Sequence, residues 1–134
     1  MISCEAALIY TMVIVSAADR NMTDREMSAI GEIVRHLPAF REYDVSLLPE
    51  TARSCAEMLN AESGMEAVLD IILRSVPTEL RETAYALAIE IAAADGSASQ
   101  EELRLLEMLR HQLNIDRLIA AGIERGARAR YARL

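Results

Sequence analysis

Two stretches of this chain are apolar almost all round, and the segments between and after them place apolar residues at the roughly 3.6-residue period of amphipathic helices. From Ile2 to Ala18 the sequence carries Leu8, Ile9, Met12, Val13, Ile14 and Val15. From Thr78 to Ala94 the pattern returns with Leu80, Tyr85, Leu87, Ile89 and Ile91. Helices without a polar face belong in the middle of a bundle. Thr23-x-x-Glu26 reads as a capping box opening another helix, with a stripe of Met27, Ile30, Val34 and Leu37, and Pro38 ends it. Leu48 to Ala61 predicts a third helix with Pro49 in its first turn and Leu48, Ala52, Cys55 and Leu59 on one face. Ser63-x-x-Glu66 reads as a second capping box before Met65, Val68, Leu69, Ile72 and Val76. Ser99-x-x-Glu102 is a third, opening a helix with Leu103, Leu106, Leu109 and Leu113. Asn114 is expected to cap a last, Arg-rich helix over 115–134, with Ile115, Leu118, Ile119, Gly122 and Ile123. The expectation is an all-α fold, a single globular bundle of about seven helices spanning 1–134.

A shift of 76 residues aligns the two ends of the chain. Ala17, Ala18 and Asp19 fall on Ala93, Ala94 and Asp95; Thr23 falls on Ser99, Glu26 on Glu102 and Leu37 on Leu113. Val13 and Val15 meet Ile89 and Ile91, while Met27 and Ile30 meet Leu103 and Leu106. The segments 8–37 and 84–113 thus read as an internal duplication of one helix–loop–helix unit. Two copies at that spacing do not make a solenoid.

An apolar helix ending in Ala-Ala-Asp-Gly, followed by Ser/Thr-x-x-Glu, twice in an all-helical chain, resembles the TerB-like family of tellurite-resistance proteins. The resemblance covers roughly residues 1–114. Ala93-Ala94-Asp95-Gly96 through Ser99 and Glu102 is the closer copy; the first departs from it with Arg20 where the second has Gly96. The resemblance implies a cytoplasmic accessory protein of tellurium or stress response, with links to metal ions and to membrane-linked protein partners.

Composition narrows the picture. Apolar residues make up 52% of the chain but aromatics only 4%, and Trp is absent, so the core must come from Leu, Ile, Val, Ala and Met. The net charge of −7 argues against nucleic acid as a partner. The charge is unevenly spread. Residues 1–116 hold nine Arg against twenty acids, and residues 117–134 hold five Arg against one Glu. The tail arginines Arg125, Arg128, Arg130 and Arg133 suit an anionic lipid surface or an acidic partner. They equally complement the end of their own helix and the acidic body. Cys4 and Cys55 lack metal-type or redox-type spacing, which predicts two reduced, mostly buried thiols of a cytosolic protein. Ala6 to Ala18 has an apolar run and a small-residue end. However, Glu5 precedes it and no basic residue does, so it is expected to be a core helix and not a secretory signal. The run is also too short for a transmembrane segment.

The candidate chemistry lies in four carboxylates, Asp19, Glu26, Asp95 and Glu102. Carboxylates suit calcium or magnesium. The same residues suit capping, in which Asp closes the loop on backbone N–H groups and Glu completes the box. The loops are not EF-hands, since Asp to Glu spans eight residues and the intermediate acids are missing. His36 and His111 sit where imidazolium complements a helix C-terminus. No nucleophile, base and oxyanion donor can be assembled, so an enzyme is not expected. Two function classes stand: an ion-linked accessory protein of metal or stress resistance, and a structural protein–protein interaction module whose acids are helix caps.

Overall fold

The helix Cys4–Ala17, α1, is buried without a break from Ala7 to Ser16. Such a helix needs neighbours on every side. In the computed structural model, which describes residues 1–18, 23–94 and 98–134, they are α2 (Asp24–His36), α3 (Leu48–Asn60), α4 (Gly64–Ser75), α5 (Arg81–Ala94) and α6 (Gln100–Gln112), all of which pack against α1. α7 (Arg117–Arg130) closes the chain and rests on α5. Three single 3₁₀ turns, Pro38–Phe40, Val45–Leu47 and Thr78–Leu80, join these elements, and no strand occurs among the described residues. The bundle is all-α, as the periodicity predicts.

α5 is the second central helix. Ala84, Tyr85, Leu87, Ala88, Ile89, Ile91 and Ala92 are buried along it. It meets α1 directly and also carries α2, α6 and α7. The absence of a polar face in α1 and α5 therefore predicts their place correctly. α2 and α6 begin and end 76 residues apart, the offset seen in the sequence. Their surroundings differ, however: Val34 on α2 is 2% exposed, while the residue 76 positions on is Arg110, at the surface of a cleft described below.

Polar contacts pin the core. Thr11, fully buried, donates from Oγ1 to the carbonyl of Ala7 at 2.8 Å. The Cys55 thiol of α3 points at the Tyr10 carbonyl of α1, 4.0 Å away. The Ile2 amide donates to Ser75 Oγ at 3.1 Å, holding the start of the chain against the end of α4.

Several expected caps and stripes are corrected. Ser63 makes no capping hydrogen bond. It adopts a left-handed conformation, φ 57°, because the turn from α3 to α4 is tight. The crowding falls on Gly64, where a Cβ would collide with the carbonyl oxygens of Met58 and Leu59. Asn114 does not open α7. At φ 56° it is the left-handed residue closing α6, with its N–H on His111 O at 3.1 Å and the next, from Ile115, on Arg110 O at 3.0 Å. That is a Schellman closure. The cap of α7 is Asp116, whose Oδ2 accepts from the amides of Leu118 and Ile119 at 3.0 and 3.3 Å. Met27, Leu103, Leu118 and Ile119 lie outside the core, and Leu105 is buried instead of Leu103.

The two helical glycines of contrasting setting make a test. Gly64→Ala should cost roughly 1–3 kcal/mol, because the new methyl meets rigid backbone. Gly122→Ala, which meets nothing within 4 Å, should stabilise by about 0.5–1 kcal/mol by improving helix propensity. Chemical denaturation of the two variants reads both signs.

Candidate functional site

The acidic helix starts come first. Thr23 precedes α2, and its amide donates to Glu26 Oε1 at 2.9 Å while its Oγ1 accepts from the Glu26 amide at 3.1 Å. Ser99 and Glu102 repeat this reciprocal pair at α6 with distances of 2.9 and 3.1 Å. Both expected boxes are therefore formed. Each glutamate is almost fully buried, Glu26 at 3% and Glu102 at 4% exposure. A carboxylate there is favoured by the positive end of the helix dipole and by the amides it accepts from. Asp19 and Asp95, the other two candidate ligands, lie outside the described residues. Ser16, in the last turn of α1, has a buried hydroxyl with no hydrogen-bond partner among the described residues.

A resident cation needs several oxygens, typically six to eight for calcium. Among the described residues no three His, Cys, Asp or Glu side chains converge as an ion-binding group. Glu26 and Glu102 each contribute one carboxylate that already serves a cap. The described donor set alone does not fit such an ion.

A second feature was not foreseen. α6 and α7 diverge over α5 and leave a cleft of about 530 Å³. Ile89, Ala92 and Leu106 supply apolar lining, and Leu103 of α6 stands half exposed at its edge. Glu107 and Arg110 come from α6, Glu124 and Arg128 from α7, and Tyr131 from the residue that ends it. Ala98, adjacent to the Ser99 cap, reaches the same cleft. Tyr85 lies beneath, 2% exposed, and its hydroxyl donates to Glu124 Oε2 at 2.5 Å. Burial, then the hydrogen bond and charge of Glu124, push the phenol well above its ordinary range, against the opposing charge of Arg110. Tyr131 is pushed up to about 12, by burial first and then by Glu90. Phenols held protonated in this way are poor bases and nucleophiles near neutral pH. At the far side of α7 Arg130 pairs with Glu90. The sequence signal for the cleft was present in Leu103 and in the mixed pairs Glu107/Arg110 and Glu124/Arg128, three and four residues apart, but periodicity alone assigned Leu103 to the core.

The two free thiols are quiet as well. Cys55 is fully buried, and desolvation pushes its thiol up to about 12. Cys4 is partly buried, and desolvation followed by the neighbouring Glu5 raises it too. His36 and His111 lie at helix ends as expected. His36 Nε2 is 3.2 Å from Glu32 Oε2, and His111 Nε2 is 3.0 Å from an Arg110 nitrogen.

The chain is thus an all-helical bundle with two capped acidic helix starts and an amphipathic cleft. The profile of the family described as Tellurite resistance protein TerB matches residues 5–122 of the 134, and the chain belongs to that family. No curated protein and no solved structure gives a match.

Two outcomes follow from this geometry. Thr23→Ala and Ser99→Ala should each lower stability by about 0.5–2 kcal/mol, as loss of an N-cap does; urea denaturation measures both. Stability should also fall at alkaline pH. The folded-state values of Cys55 and Tyr85 lie above their ordinary 9.0 and 10.0, so their contribution is complete below those values and is lost as pH rises above them. Unfolding midpoints of Tyr85→Phe followed upward from pH 9 should fall less steeply than those of the native chain.

Proposed function

We propose that this TerB-family chain is a non-enzymatic, cytoplasmic accessory protein of tellurite or stress resistance that acts by holding a protein partner in the α5–α6–α7 cleft. The cleft itself carries the reading. It combines an apolar lining with Glu107, Arg110, Glu124 and Arg128 around it. That arrangement suits an amphipathic partner segment whose apolar stripe is flanked by charges of both signs. Leu103, half exposed on its edge, is the kind of side chain that association would cover. The capped glutamates then set where α2 and α6 begin. Family membership supports the resistance setting, and among the described residues no helix is long and apolar enough to cross a membrane.

A second reading, calcium or magnesium held by the acidic loops through Asp19, Glu26, Asp95 and Glu102, is favoured by one observation. Both capping glutamates are buried to a degree that a surface cap does not need. The second loop also adjoins the cleft through Ala98, which would let an ion there influence partner binding.

Leu103→Arg should leave the melting temperature unchanged and weaken partner binding by roughly tenfold, the scale of a lost interface anchor. Tellurite tolerance of a host that depends on this protein should fall with it. Full tolerance in the variant places the action elsewhere. For the ion, a thermal-shift series in calcium and magnesium should raise the melting temperature of the native chain by mass action and not that of Asp95→Ala; an unshifted native chain removes the ion reading.

A further inference from the structure

Four charged side chains line the α5–α6–α7 cleft, and they are unequally committed. Glu124 is half-buried, and its Oε2 accepts from the Tyr85 hydroxyl beneath it at 2.5 Å. Arg128, one turn further along α7, is exposed and forms no ion pair among the described residues. On the α6 wall Glu107 and Arg110 stand one turn apart, and neither is ion-paired among the described residues. Arg110 lies 3.0 Å from His111 Nε2, and an imidazole brings no negative charge to balance it. Glu90, which neighbours Tyr131, is held by Arg130. Each of the two cleft guanidiniums thus keeps donors for a carboxylate from outside, which it would bind through two parallel hydrogen bonds.

We infer that the occupant of the cleft is an amphipathic helix with an acidic residue on each border of its apolar stripe. One acid meets Arg128 on the α7 wall. The other meets Arg110 on the α6 wall, with a basic residue one turn from it against Glu107. This rests on the partner docking proposed above and adds the charge pattern of the partner. The walls are helices, whose backbone groups are bonded internally. They offer no sheet edge to an extended chain, whose own amides would be buried without partners. A helix brings its backbone hydrogen bonds with it. Ile89 and Ala92 on the floor and Leu106 on the side receive its apolar stripe. The pattern selects by contact. At a distance the −7 charge of the whole chain opposes an acidic partner, but screening confines that effect to about 8 Å at physiological salt. A helix with charges of one sign only meets a like charge on the α6 wall and is disfavoured.

A phage-displayed library of amphipathic helices tests it, with Leu and Ile fixed on the stripe and the border positions drawn from Asp, Glu, Lys, Arg, Gln and Ser. Selection on the full native chain should enrich an acid on both borders, with a base one turn from it on one border only. Selection on Arg128→Glu should replace the acid by Lys or Arg on a single border. Arg128→Gln, which adds no repulsion, should lose that preference without replacing it, and Arg110→Gln should lose the acid of the other border. In fluorescence anisotropy the leading native-selected peptide should bind Arg128→Glu roughly tenfold more weakly. No selected peptide, or only peptides whose binding survives Leu103→Arg, overturns both the docking in the cleft and this inference. Peptides that need Leu103 yet carry no border acids, or the same borders selected on native chain and Arg128→Glu, leave the docking standing and overturn the inference.

Discussion

The fold depends on one helix that has nowhere to put water. From Ala7 to Ser16 every residue of α1 is buried. Each fully buried aliphatic side chain contributes about 1.5–3 kcal/mol relative to an exposed one, and α1 places Leu8, Ile9, Met12, Val13, Ile14 and Val15 in that position. Exposing any side of α1 would forfeit part of that gain, so five helices must surround it. α5 shares the burden with a lighter, alanine-rich surface. Small side chains there allow neighbours to approach closely, and where α6 and α7 part over Ile89 and Ala92 they leave the cleft.

The same geometry explains the buried glutamates. α2 and α6 follow α1 and α5 in the chain, and their first turns are buried at Glu26 and Glu102. A capping glutamate at that place loses its water. The N-terminal amides of its own helix then stabilise the charge in place of solvent. Glu26 and Glu102 thus link two levels of structure: they fix where a helix begins, and they put carboxylate charge beside an apolar core. Capping and ion binding compete for the same oxygens, which is why the choice between them turns on the neighbouring loop residues.

Much of this was readable from residue order. All seven helices, the central positions of α1 and α5 and the boxes at Thr23 and Ser99 follow from periodicity and capping chemistry. The failures have particular causes. Ser63 looks like Thr23 and Ser99 in sequence, but the tight turn from α3 to α4 places it in a left-handed conformation, where it makes no capping hydrogen bond. Asn114 can both start and end a helix, and only the buried Ile115 behind it decided for the end of α6. Leu103 fits the apolar stripe of α6 by spacing. Its exposure depends on how far α7 stands from α6, and that distance is set by tertiary packing that no local pattern encodes. Of the candidate site, the glutamates were legible as caps. The Tyr85–Glu124 pair, thirty-nine residues apart, was not.

The two cysteines are chemically quiet because of where the fold puts them. A thiol reacts with oxidants and electrophiles mainly as the thiolate. Cys55 is sealed against the Tyr10 carbonyl and stays protonated until strongly alkaline pH, and Cys4 is biased the same way by partial burial and by Glu5. Neither sulfur is therefore a ready target at neutral pH. The consequence is confined to the thiols: protection of the two cysteines is built into their packing and needs no disulfide and no bound metal to hold it.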